Sequence, residues 1–247
     1  MSREALIAEE QVILSSPQTL VTGASSRTKV KSALWKLRYY SYSLIKFPLD
    51  FLLALTGLII LTPPLIIIAI LIKREDHGPV IFKQVRTGKD GREFNIYKFR
   101  TMAAENDVHD TSTPDQKTRI GRILRKTSLD ELPQLFNVLK GDMSFIGPRP
   151  WIPEYFEAMN SEERRRTLVR PGITGLAQSH GRNALTVFEK ISFDLRYVET
   201  YSPLTDFRII LASIRTVLSK KNVSAGKKVI KNELFELRRR KTASLTR

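Results

Sequence analysis

Residues 51–72, FLLALTGLIILTPPLIIIAILI, run for 22 positions without a charge. As a straight helix such a run is about 33 Å long, against a bilayer hydrocarbon core of about 30 Å. No other stretch restricts the fold so strongly. In lipid every backbone group needs an internal partner, so a lone segment has to be helical. Yet Pro63-Pro64 interrupts the run near its middle. The two missing N–H groups orphan the carbonyls of Ile59 and Ile60, and the ring of Pro64 pushes Pro63 out of the helical region. The Thr62 hydroxyl is placed to relieve the break. So is a bend that returns the chain to the face it entered.

The flanking charges bear on the same question. Residues 27–46 carry six Lys and Arg and no Asp or Glu, and residues 73–100 carry eight Lys and Arg. A spanning helix is expected to show more positive charge on one side than on the other. Here both flanks look cytoplasmic. Two forms stay open on these grounds, a kinked single-pass helix and a re-entrant hairpin, and both embed the chain in a membrane.

The chain has 247 residues, enough for one sizeable core with appendages. Its 41 Lys and Arg against 25 Asp and Glu give a net charge of +16, which favours polyanionic partners: nucleic acid, anionic lipid or phosphorylated substrates. With no Cys, disulfides, zinc–thiolate sites and thiol nucleophiles are excluded. Three scattered His residues argue against a His-rich metal site. The first twenty residues include Glu4, Glu9 and Glu10 and lack the order of a cleavable leader.

Around the apolar run the pattern is coarse but readable. Residues 1–28 read as a polar extension with a short helix at 4–14. Residues 29–46 mix Trp35, Tyr39 and Tyr40 with cations, which suits a helix at headgroup depth. GPVIFKQVRTGKDGREFNIYKFRTM, 78–102, predicts a β-hairpin turning at TGKDG. Residues 103–117 read as loop, IPEYFEAMNSEERRRTLV as one helix, and RPGITGLAQSHGRN as a glycine-rich loop. Phe207, Ile210, Leu211, Ile214 and Leu218 mark an amphipathic helix over 204–218. The residues after Ala225 form a basic tail.

In TSLDELPQLFNVLKGDMSFIGPRP, 127–150, two adjacent carboxylates open an apolar helix. Leu132, Leu135, Phe136 and Leu139 share one face of it. Placing Asp130 at the N-cap puts Pro133 in the first turn, where its missing donor is harmless. Acidic residues at a helix start are common for stability alone. The neighbours add to that: Arg119, Arg122, Arg125 and Lys126 come just before, Lys140 and Arg149 just after. Such cations neutralise a diphosphate, Mg²⁺ joins carboxylates to phosphates, and a carboxylate also serves as a nucleophile toward phosphorus. The plainer role for any one cation is contact with anionic lipid.

Taken together, KFPLD (46–50), the broken run with TPP (62–64), the 78–102 segment, GRILRKTSLDELPQLFNVLKGDMSFIGPRP (121–150), VRPGITGLAQSHGRN (169–183) and FDLRYVETYSPLTDFRII (193–210) resemble the bacterial sugar transferases of the monotopic phosphoglycosyl transferase superfamily. The resemblance covers roughly 45–220. It implies transfer of a sugar phosphate from a UDP-sugar to undecaprenyl phosphate, with UMP released and a glycan started. It implies Asp130 as nucleophile, Glu131 and Asp130 as holders of Mg²⁺, and Arg125 near the lipid phosphate. Lys98, Arg100, Arg149, Arg170, Gln178 and Arg182 are implied in binding substrate phosphate or nucleotide. Thr62-Pro63, followed here by Pro64, matches a Ser-Pro helix break and so favours the re-entrant form. His180 stands where many relatives have Asn and reads as a neutral substitution.

The expectation is therefore an α+β, mainly helical chain. It has an extension (1–44), a broken re-entrant membrane helix (45–73), a membrane-associated catalytic domain with a β-hairpin and amphipathic interfacial helices (74–220), and a basic tail (221–247). Its expected place is the cytoplasmic face of the bacterial inner membrane, with UDP-sugar, undecaprenyl phosphate and membrane lipids as partners and no nucleic acid. The competing class is a membrane-tethered nucleic-acid binder or scaffold without catalysis. An embedded acidic dyad opposes it.

Overall fold

The computed structural model describes residues 26–103, 116–181, 185–218 and 233–245. The expected helix at 4–14 and Arg182 lie outside them. The chain divides into two units, Met1–Leu37 and Arg38–Arg247. Of the first, the described residues 26–37 are the opening turns of a helix. The second contains the hairpin, the dyad and all remaining elements.

Helix α1, Ser26–Asp76, absorbs both the expected headgroup helix and the apolar run. It continues through Pro48, Pro63 and Pro64. Thr62 Oγ1 donates to the Leu58 carbonyl at 2.7 Å. The hydroxyl thus serves the carbonyl next to the two that the prolines orphan, and not Ile59 or Ile60 themselves.

From Arg38 on, α1 belongs to the second unit, and one face of it packs inside that unit. Ala54 and Leu58 join Ile96, Leu135, Val138 and Met143 in a buried cluster, and Ile68 and Ile72 join Phe99 and Leu124 in another. Polar contacts pin both flanks of the apolar run to that unit. Before it, Lys46 Nζ meets Asp206 Oδ2 at 2.5 Å, and Tyr42 donates to the same oxygen at 2.7 Å. After it, Arg100 grips Asp76, and the Arg119 N–H donates to Glu75 Oε1 at 2.5 Å. The opposite face leaves Leu44, Ile45, Ile59, Ile60, Ile66 and Ile67 more than half exposed. A stripe that large on a chain is a membrane or partner surface.

Strands β1 (Ile81–Thr87) and β2 (Glu93–Phe99) form the expected hairpin, in antiparallel register from Ile81 opposite Phe99 to Thr87 opposite Glu93. The turn between them places Asp90 and Gly91 at positive φ, a conformation that short polar residues and glycine tolerate. Helix α2 (Arg119–Thr127) follows, capped by the Thr118 hydroxyl, which accepts from the Gly121 N–H at 2.9 Å.

From here the structure departs from the local patterns. No single helix starts at Asp130: a 3₁₀ turn, Leu129–Gln134, precedes a short α3, Leu135–Leu139. Pro133 lies inside that turn, where it leaves the regular helix to begin only after it. The glycine-rich loop contains strand β4 (Gly172–Thr174), which pairs in parallel with β3 (Ser144–Ile146), and helix α6 (Leu176–His180). The single helix expected in IPEYFEAMNSEERRRTLV is split into α4 (Pro153–Ala158), α5 (Ser161–Arg164) and a 3₁₀ turn, Arg165–Leu168. Asn160 causes the break. Its side chain caps α5 in a reciprocal box with Glu163, ending one helix by starting another.

Helix α7 (Val187–Glu199) carries the same box through Thr186 and Glu189. On α8 (Pro203–Leu218), Ile209 is buried, whereas Leu204, Phe207, Ile210, Leu211 and Ile214 face out. In the expected tail, α9 (Glu233–Leu245) folds back: Leu237 is buried with Met159 and Val187, and Lys190 pairs with Glu233 at 3.1 Å.

Candidate active site

Helix α2 ends at Ser128, whose backbone is left-handed at φ 59°. A serine there is held against its own preference, at a strain of about 1 kcal/mol. The reversal throws Asp130 and Glu131 into the first turn of the 3₁₀ segment, beside β2. Asn137, fully buried on α3, fixes that placement. Its Nδ2 donates to the Asn95 carbonyl at 2.7 Å, and its Oδ1 accepts from the Tyr97 N–H at 3.0 Å. The side chain thereby substitutes for a neighbouring strand and sets Lys98 opposite Glu131.

Glu131 Oε1 accepts from Lys98 Nζ at 2.9 Å and from Arg149 Nη2 at 2.9 Å. Burial alone pushes the Glu131 carboxyl up; Arg149 and Lys98 outweigh it and bring it down to about 2. Asp130 moves the other way. Burial, then the adjacent Glu131 charge, raises it above the ordinary carboxylate range, with Lys98 and Arg125 opposing. The environment separates the two carboxyls into a locked anion and a more basic oxygen. Such a split marks a division of labour between paired acids. The more basic carboxylate is the better nucleophile.

Arg149 is carried on a glycine–proline loop that long-range contacts hold still. The Gly147 N–H donates to the Thr174 carbonyl at 2.9 Å, and the Gly172 N–H to the Pro148 carbonyl at 3.0 Å. A Cβ on Gly147 would lie 2.3 Å from the Arg170 carbonyl, so the close approach requires glycine. Beneath the loop Arg166, 3% exposed, donates twice to Asp194 Oδ2, at 2.9 and 2.6 Å, and once to the Arg149 carbonyl at 2.7 Å. Its guanidinium also lies over Trp151, 4.2 Å from the ring centre.

Of the other residues singled out in the sequence, Arg125 stands in the field of Asp130 and donates to Thr101 Oγ1 at 2.9 Å. Arg100 is engaged away from the dyad. It binds Asp76 and the carbonyls of Pro79 and Met102, the latter two at 2.6 and 2.9 Å. Arg170 lies over the Phe47 ring at 3.7 Å. The Gln178 amide is inaccessible and has no protein partner among the described residues. Thr62, Pro63 and Pro64 lie on α1, outside this cluster. Sequence reasoning missed Asn137, Arg166 and Asp194. Lone polar residues in apolar or basic stretches give no local signal.

Among the described residues no three or more His, Cys, Asp or Glu side chains converge on a metal-sized site. Both cations use the same Glu131 oxygen, Oε1, so Oε2 and the Asp130 carboxylate are the dyad oxygens that neither of those two bonds occupies. That donor set fits a hard ion that completes its shell with phosphate oxygens and water.

Residues 41–220 match the family model described as bacterial sugar transferase. The chain is 44% identical over 175 residues to a protein of Bacillus subtilis named uncharacterized sugar transferase EpsL, covering 70% of this chain and 84% of that one. It is 41% identical over 172 residues to a UDP-glucose:undecaprenyl-phosphate glucose-1-phosphate transferase of Caulobacter vibrioides, covering 65% and 64%. It is 40% identical over 188 residues to the UDP-N-acetylgalactosamine-undecaprenyl-phosphate N-acetylgalactosaminephosphotransferase of Aeromonas hydrophila, covering 72% and 44%. The chain thus spans most of the Bacillus protein but less than two thirds of the other two. With a match that contains the dyad, the Arg149 loop and the whole apolar run, the chain belongs to the bacterial sugar transferase family.

Proposed function

We propose that the protein is a membrane phosphoglycosyl transferase that moves a sugar 1-phosphate from a UDP-sugar to undecaprenyl phosphate and so starts a glycan. The observation that carries this reading is the split dyad: a raised Asp130 beside a Glu131 locked by Lys98 and Arg149. The named activities of the Caulobacter and Aeromonas relatives support the substrate class.

In the proposed first step an Asp130 carboxylate oxygen attacks the phosphorus bonded to the sugar. The P–O bond to the nucleotidyl phosphate breaks, and UMP leaves with the bonding pair. In the second, an oxygen of the polyprenyl phosphate attacks the same phosphorus. The Asp130–phosphorus bond breaks and the carboxylate is restored. Lys98 and Arg149 hold Glu131 and contribute fixed positive charge where the phosphates gather, which is electrostatic stabilisation already in place before reaction. Mg²⁺ held by Glu131 and Asp130 would supply Lewis-acid neutralisation of the diphosphate.

The chain sits on the cytoplasmic face of the inner membrane in this reading. Because both flanks of the apolar run bind one unit, a helix that enters and leaves on one side fits better than one that carries its ends to opposite sides. The outward face of α1 and the exposed stripe of α8 then lie in lipid.

The test is to incubate enzyme with radiolabelled nucleotide sugar and no lipid acceptor. Wild type is expected to yield labelled protein and Asp130→Asn none. Unimpaired turnover by Asp130→Asn overturns the nucleophile assignment.

A further inference from the structure

Helix α9 (Glu233–Leu245) lies beyond the residues 41–220 that match the family model, yet it is folded into an apolar cluster of the second unit. One face does this. Glu233, Leu234, Leu237 and Arg240 fall at i, i+1, i+4 and i+7, which share one side of a helix. Each has a partner. Glu233 pairs with Lys190 of α7 at 3.1 Å. Leu237, 1% exposed, is buried with Ala158, Met159, Val187 and Ile191, and Leu234 packs against them. Arg240 pairs with Glu163 of α5 and lies over the Phe188 ring of α7, 4.4 Å from its centre. Phe235, off that face, is 67% exposed. The ion pairs are partly open to water, so each contributes little energy and serves mainly to fix the register. Burial of Leu237 supplies the attachment.

The same cluster reaches the loop that carries Arg149. Trp151 and Tyr155 pack against it, their rings 5.3 Å apart and edge to face. Trp151 stands two positions after Arg149. Its carbonyl accepts from the Thr87 N–H at 2.8 Å. Its ring carries the Arg166 guanidinium, which donates to the Arg149 carbonyl. Trp151 is therefore the joint between the cluster that Leu237 closes and the loop that presents Arg149 to Glu131. A close-packed interior passes a displacement on to its neighbours, so opening the cluster releases Trp151 and, with it, the support of that loop.

We propose that α9 is a positioning element for the transferase site: by closing the cluster on which Trp151 rests, it holds the loop that sets Arg149 against Glu131. The inference rests on the transferase reading above and adds to it a dependence on residues outside the family-matched segment. The side chains of α9 bear on α4, α5 and α7, so its influence on Arg149 passes through Trp151.

Full-length protein in detergent is compared by amide hydrogen exchange and by UMP-release kinetics as wild type, Leu237→Ser, Lys190→Glu, Glu233→Lys and the double charge swap. Two amides report on the loop: Thr87, bonded to the Trp151 carbonyl, and Gly147, bonded to the Thr174 carbonyl. In Leu237→Ser both are expected to exchange about tenfold faster, while amides bonded across β1 and β2 stay within about twofold of wild type. The kcat/KM for UDP-sugar is expected to fall about tenfold. Each single charge change is expected to move both readouts the same way, and the swap, which restores the ion pair with its signs reversed, to recover them. The charge variants carry the comparison if Leu237→Ser does not fold. Unchanged exchange at Thr87 and Gly147 overturns the proposal. So does equal acceleration throughout the hairpin, which marks a general loss of stability, and so does loop opening with kcat/KM unaltered. Absence of UMP release by wild type overturns the transferase reading, while the exchange rates still decide whether α9 holds the loop.

Discussion

Lys98 and Arg149 meet on a single oxygen, Glu131 Oε1, each at 2.9 Å, although one side chain comes from a strand and the other from a loop fifty-one positions later. The shared oxygen makes Glu131 the joint between hairpin and loop. It also leaves Asp130 as the carboxylate whose state is free to change.

Glu131→Gln separates these roles. With its folded pKa drawn down to about 2 from an ordinary 4.5, Glu131 contributes stability that is present above pH 4.5 and lost as pH falls toward 2. The upper bound is about 3 kcal/mol. Glu131→Gln is expected to lower stability at pH 7 by about 1–3 kcal/mol, and to flatten the loss of stability between pH 4.5 and 2. Denaturant titrations across that range check it.

The same substitution shifts the activity profile. The Glu131 charge helps to raise Asp130, so removing it lets Asp130 ionise at lower pH. In Glu131→Gln the acid limb of residual kcat/KM is expected to move to lower pH than in wild type. A limb that stays in place or moves up disproves the coupling.

Asp130→Asn is expected to be inactive yet more stable at neutral pH. A carboxyl with a raised folded pKa contributes stability at low pH that is lost as pH rises through that pKa. The amide carries no such penalty. Tm of Asp130→Asn should exceed that of wild type at pH 7, and the difference should vanish below about pH 4.

Asn137→Ala removes both ends of the α3–β2 clamp and leaves the Asn95 carbonyl and the Tyr97 N–H buried without partners. A loss of about 2–4 kcal/mol is expected. Because Lys98 follows Tyr97 on the strand, kcat should fall as well. Urea unfolding and UMP-release kinetics measure the two.

Asp194→Ala strands the Arg166 guanidinium and should cost about 3–5 kcal/mol. The double change Arg166→Met, Asp194→Leu should cost less, since it buries no lone charge. The double variant also loses the hydrogen bond from Arg166 to the Arg149 carbonyl, so its activity should stay reduced even where stability recovers.

What the sequence determined by itself was whatever depends on residues close together in the chain. The uncharged run, the 78–102 hairpin and the amphipathic stripe on α8 follow from hydrophobic period and turn chemistry. The pairing of Asp130 with Glu131 is covalent. Tertiary structure decided the rest. That Asp130 lies in a 3₁₀ turn and not at a helix cap follows from the Ser128 reversal packed beside β2. That Gly172–Thr174 is a strand follows from a partner at 144–146. That Lys98 holds Glu131 while Arg100 holds Asp76 follows from what packs against each position, Lys98 lying in β2 and Arg100 just past its end. Charge interactions of this kind depend on distance in space and on burial, neither of which is fixed by spacing along the chain.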